Sequence, residues 1–157
     1  NLLRLLHADV TCDTWFAFTC QEEVGSRGAY GAAFRIQPDV ALILEGTTAN
    51  DAGDPDETQK VCRLGKGVAV SFMDKASMAQ PELFAEMMKL AEGSGIAHQV
   101  KMAVAGGNDS GPIQRTGCGA KVCVLSVPCR YIHSPSTVLC LEDVEAQYLL
   151  AKAYLTR

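Results

Sequence analysis

Apolar residues recur along this chain in two kinds of run, and their alternation predicts a layered α/β fold. Asn1-Leu2-Leu3-Arg4-Leu5-Leu6-His7 reads as the last turns of an amphipathic helix already under way. Thr14 to Cys20 is apolar and aromatic and predicts a buried strand. Gly28 to Phe34 is a small-residue helix that stops at Gln37-Pro38, because proline disfavours helix at the residue before it. Val40 to Leu44 is a continuous apolar run, hence a second buried strand, and it ends at Glu45. Thr47 to Val61, rich in Thr, Asn, Asp, Gly and Pro, is a surface loop. After the turn Leu64-Gly65-Lys66-Gly67, Val68 to Met73 is a strand with Asp74 just past its end.

Pro81 occupies the favoured first-turn position of a helix over Glu82 to Glu92, with Leu83, Met87 and Leu90 on one face and Gly93 and Gly95 ending it. His98 to Ala105 reads as an alternating strand. Gly106 to Gly111 is a turn feeding a short helix, Pro112 to Thr116. Ala120 to Val127 is a strand closed by Pro128, and Arg130 to Pro135 is a loop. Glu142-Asp143 start a final helix.

The length of 157 residues suits one ordinary domain. A hydrophobic content of 48% against 20% charged makes the chain globular rather than disordered. The net charge of −4 leaves no basic footprint, which argues against nucleic acid as a partner. No apolar run is long enough for a membrane span. The seven cysteines include no CxxC pair, and their odd number, with no secretory signal, points to a reducing, cytoplasmic setting. The abrupt opening inside a helix suggests a piece of a longer protein.

Glu22 and Glu23 carry the first chemical signal. They follow a predicted strand, and strand ends are where α/β sheets build their sites. Two neighbouring carboxylates there call for a cation between them, although acidic residues also suit the first turn of a helix. Glu23, Glu45 and His133 each follow an apolar strand, and two carboxylates with one imidazole suit half of a dinuclear zinc-type site. Such oxygen and nitrogen donors accept Zn²⁺, Co²⁺ or Mn²⁺. Taken singly, Glu45 reads equally as a solvated turn residue, His133 as a loop histidine and Asp109 as a turn former.

Phe18-Thr19-Cys20-Gln21-Glu22-Glu23-Val24-Gly25-Ser26-Arg27-Gly28-Ala29 closely resembles the FT-x-QEEVG-x-RGA signature of the tetrahedral aminopeptidases, the glutamyl aminopeptidase-like dinuclear metallopeptidases. Three further segments resemble the family in order: Pro38 to Ala49, with Glu45; Gly106-Gly107-Asn108-Asp109-Ser110, similar to GGTDA; and Ser126 to Pro135, similar to S-x-P-x-RYIHSP, with His133. The resemblance implies a three-layer α/β/α sandwich with a mixed sheet, zinc-peptidase-like in fold. It implies Glu22 as general base, Glu23, Glu45 and His133 as metal ligands, and two divalent ions (zinc, cobalt or manganese) as cofactors. Many relatives carry Asp where this chain has Glu45, an equally good oxygen ligand with one methylene more of reach.

The resemblance further implies short peptide substrates and a homo-oligomer, a dodecameric shell in the intact family. Residues 1–157 would be the C-terminal part of the catalytic domain. A bridging Asp, a further His and an inserted oligomerisation domain would lie upstream, and His7, Asp9 and Asp13 fall outside that pattern. Arg130 is expected to hold the Glu45 region by a charged hydrogen bond, and Asp109 to support its turn. Two other readings stand beside this one: a non-catalytic remnant that keeps the fold, and a related dinuclear hydrolase of acylated amino acids. A glycosidase, which needs two carboxylates set across a sugar ring, suits these residues less well.

Overall fold

The computed structural model describes residues 1–53 and 55–157; Asp54, within the loop expected over Thr47 to Val61, lies outside the described residues. The sheet is built on β4, Lys121–Arg130. On one side β4 pairs in parallel with β1, Val40–Thr48. On the other it pairs antiparallel with β2, Val68–Ser71, and further along with the two-residue β5, Val138–Leu139. β2 pairs in parallel with β3, His98–Val100, so the order is β1-β4-β2-β3 and the sheet is mixed.

Alternation along β4 explains the layers. Cys123 and Leu125 point to one face, where they meet Val68, Val70, Leu83, Met87, Ala146 and Leu150. Val122 and Val124 point to the other, with Ile43 and the partly buried Ile113. On the first face lie α3 (Pro81–Gly93), α5 (Leu141–Leu155) and the short α1 (Leu2–Leu5). On the second lie α2 (Arg27–Ile36) and α4 (Ser110–Arg115). A period of two buries a strand on both sides only when both faces are covered. The result is the expected α/β/α sandwich.

Several sequence expectations are corrected. Thr14 to Cys20 is neither strand nor buried: it has no ladder partner among the described residues, and Trp15 and Phe18 are exposed. β1 runs on past Leu44, so Glu45 lies inside the strand rather than after it. β3 is three residues, not the eight from His98 to Ala105. Pro128 does not close β4. It falls where β4 passes from β2, last paired at Ser126, to β5, first paired at Cys129, so no ladder donor is required of it on that side.

One buried carboxylate sets the entry to β2. Asp143 of α5 is 1% exposed, and its two oxygens accept the N–H groups of Gly65 and Gly67, both at 2.7 Å. Gly67 has φ 87°, and a Cβ there would stand 2.0 Å from the Ala97 backbone, so only glycine fits. Asp143→Ala leaves these two donors without acceptors. It should lower unfolding free energy by about 2–4 kcal/mol, read as a lower urea midpoint with an unchanged slope.

Candidate active site

The segment holding Glu22 and Glu23 is a tight reversal rather than a strand end. Gly25 N and Ser26 N both donate to Glu22 O (3.0 and 2.9 Å), Arg27 N donates to Gln21 O and Gly28 N to Cys20 O. A Cβ on Gly28 would lie 2.5 Å from Cys20 O, which accounts for the glycine two residues after Ser26. Gln21 and Ser26, on either side of the two glutamates, have φ of 60° and 50°. On the opposite rim, Tyr131 and His133 have φ of 60° and 61° in the loop that leaves β4. Left-handed backbone at non-glycine residues costs energy and gathers at functional sites.

The four residues expected at the site come together. Glu22, Glu23, Glu45 and His133 all line one cleft of about 470 Å³, with Gly46, Lys101 and Gly107 among its other walls. His133 Nε2 stands 3.3 Å from Glu23 Oε1, and both side chains are largely open to solvent, 68% and 74% exposed. Glu22 is half-buried; burial pushes its carboxyl above the usual range, the charges of Glu23 and Asp109 push the same way, and His133 and a Ser26 hydrogen bond oppose them. Burial raises Glu45 to about 7, with Lys101 and the Ser126 hydroxyl working against it and Asp74 and Glu22 adding to it. Glu45 Oε1 accepts hydrogen bonds from Ser126 Oγ (3.1 Å) and Asn108 Nδ2 (3.2 Å).

In donor type these residues fit divalent ions, an imidazole nitrogen facing a carboxylate oxygen in a cleft with a second, raised carboxylate. They are not gathered into one coordination sphere: among the described residues no three His, Cys, Asp or Glu side chains are close enough to hold an ion together. Two sequence expectations need adjusting. Arg130 does not reach Glu45; its Nε and Nη2 grip Asp51 at 2.7 and 3.1 Å, tying the end of β4 to the loop after β1. Asp109 does support its surroundings, since its Oδ2 accepts the Thr19 hydroxyl, while its Oδ1 is buried with no partner among the described residues.

Lys101, Asn108 and Ser126 escaped the sequence reading as site residues. Lys101 lines the cleft yet is 8% exposed, its Nζ donating to Ala105 O at 3.3 Å. Among the described residues no carboxylate lies within salt-bridge reach of it. The one available signal was a lysine interrupting an otherwise apolar run, Val100-Lys101-Met102-Ala103-Val104. Asn108 and Ser126 sat inside segments already singled out, but nothing in one sequence marks them as neighbours of Glu45.

The chain is similar to several aminopeptidases. An aminopeptidase of the archaeon Desulfurococcus kamchatkensis superposes with a TM-score of 0.86 at 35% identity, over 88% of this chain and 40% of that one. A TET peptidase of Pyrococcus horikoshii, described as able to assemble into a tetrahedron or a large octahedral shell, superposes with a TM-score of 0.71 at 31% identity, over 89% of this chain and 40% of that one. The lysyl aminopeptidase of Pyrococcus furiosus is 33% identical over 91% of this chain and 40% of its own length. The chain thus spans about 40% of the length of such relatives. A family model for M42 glutamyl aminopeptidases matches residues 1–150, and with the four motifs and the shared fold this establishes that the chain belongs to that family.

Proposed function

We propose that residues 1–157 are the C-terminal part of the catalytic domain of a metal-dependent aminopeptidase that removes N-terminal residues from short peptides. The observation that carries the reading is the single cleft to which three separate segments bring Glu22, Glu23, Glu45 and His133. Glu23 and His133, facing each other across 3.3 Å, would hold one divalent ion, and Glu45 a second. Zinc, cobalt and manganese all accept these donors. Such ions supply Lewis-acid polarisation of the peptide carbonyl.

Glu22 is the general base in this reading. It accepts a proton from the water that attacks the scissile carbonyl and hands it to the departing amine. Its half-buried carboxyl, held above the usual range first by burial, is a stronger base than a free glutamate. Lys101 places a positive charge in the cleft that also holds the three carboxylates, which favours the anionic form of Glu45. The assemblies named for the Pyrococcus horikoshii relative support a homo-oligomer for the intact protein. No helix of the described residues is long and apolar enough to cross a membrane.

A second reading, a non-catalytic member that keeps the fold, draws on the lack of any three gathered ligands among the described residues. Two measurements separate the readings. Glu22→Gln in the intact protein should lower kcat on a short peptide by about 10²–10⁴-fold while bound metal stays at the parental level. Loss of metal in that variant would instead make Glu22 a ligand. Dialysis against a chelator should abolish peptide turnover, and Zn²⁺, Co²⁺ or Mn²⁺ should restore it. An intact protein with neither metal nor turnover would favour the non-catalytic reading.

A further inference from the structure

Asn108 is 4% exposed and uses its whole side-chain amide. Its Nδ2 donates to Glu45 Oε1 at 3.2 Å and to Asp74 Oδ2 at 3.0 Å, and its Oδ1 accepts the Ser110 N–H at 2.9 Å. The amide orientation is fixed by its surroundings: flipped, the oxygen would meet two carboxylate oxygens and the NH₂ would meet an N–H. Asp74, 5% exposed, is itself anchored, since its Oδ1 accepts the N–H groups of Ala76 and Ser77 at 2.7 and 2.8 Å. The exit of β2, the start of α4 and, through Ser126, the middle of β4 therefore converge on one oxygen of Glu45. The other oxygen, Oε2, accepts no hydrogen bond among the described residues and is not among the buried unpartnered atoms.

We infer that Asn108, braced by Asp74, is a positioning residue for metal binding: it fixes the Glu45 carboxylate by one oxygen and so leaves the other presented to the cleft. The inference rests on the reading of Glu45 as a metal ligand. Residue type supports it. The task requires two donors on one short side chain between two carboxylates, plus an acceptor for a backbone N–H. Asn meets all three needs; Asp would add a third carboxylate, and Ser or Thr has a single proton to donate. Hydrogen bonds to ligating carboxylates orient them and typically change metal affinity 10–100-fold when removed.

The test is a cobalt(II) titration of the metal-free intact protein, read from the visible absorption of the bound ion, on the parent and on Glu45→Gln, Asn108→Leu and Asp74→Asn. Glu45→Gln identifies the ion that Glu45 holds. Asn108→Leu should weaken that same ion by about 10–100-fold, change its absorption band and leave the other ion at parental affinity. Asp74→Asn, which retains the Asn108 side chain but takes away the carboxylate oxygen its Nδ2 donates to, should weaken it too, and it decides the matter if Asn108→Leu does not fold. Parental affinity for that ion in folded Asn108→Leu, or in Asp74→Asn where Asn108→Leu does not fold, would overturn the inference and leave Glu45 as a ligand. Parental affinity for both ions in Glu45→Gln would overturn the ligand reading and this inference with it.

Discussion

The register between β1 and β4 is the constraint on which the site depends. It pairs Val40 with Lys121 at one end and Thr48 with Cys129 at the other, and in between it sets Glu45 opposite Ser126. A slip of one residue would turn every side chain of β1 to the other face, taking Glu45 away from the cleft and Ile43 out of its core. The same register places Arg130, and hence the loop carrying His133, beside the end of β1. α5 reinforces it from the covered face: Gln147 Nε2 donates to Glu45 O at 3.0 Å and to Leu125 O at 2.7 Å. One turn earlier on that helix, Asp143 holds the approach to β2.

Local pattern made the helices and the two longest strands legible. Pro81 and the Leu83/Met87 stripe give α3, and the long apolar runs give β1 and β4, because burial on both faces needs no partner to be recognised in sequence. What failed was pairing. Thr14 to Cys20 has the composition of a strand, but a strand exists only against a neighbour, and here it has none among the described residues. Pro128 looked like a terminator because the change of partner along β4 is a property of the sheet, not of the proline.

The four expected site residues were legible through their motifs, and they do share one cleft. Their supports were not. Asn108 reaches Glu45 across 63 positions of sequence and Ser126 across 81, and no periodicity carries information over such separations. Arg130 shows the converse error. An arginine close to an acid in the fold was assigned the wrong acid, since Asp51 lies in a loop whose course the sequence leaves open. Lys101 reads as a defect in a strand until the strand is seen to stop at Val100, which frees the next residue to turn into the cleft.

The position of β1 has a practical consequence for handling the protein. It stands at one edge of the sheet, nine residues long, with one side of its backbone free of any ladder among the described residues. The segment Thr14 to Cys20 exposes Trp15 and Phe18, and α2 exposes Tyr30 and Phe34. Long open edges recruit strands from other molecules, and exposed aromatic side chains hold such contacts once they form. A preparation limited to these residues would therefore be prone to self-association at the concentrations used for crystals or spectra, and a charged side chain at a solvent-facing position of β1 is the natural way to keep it in solution.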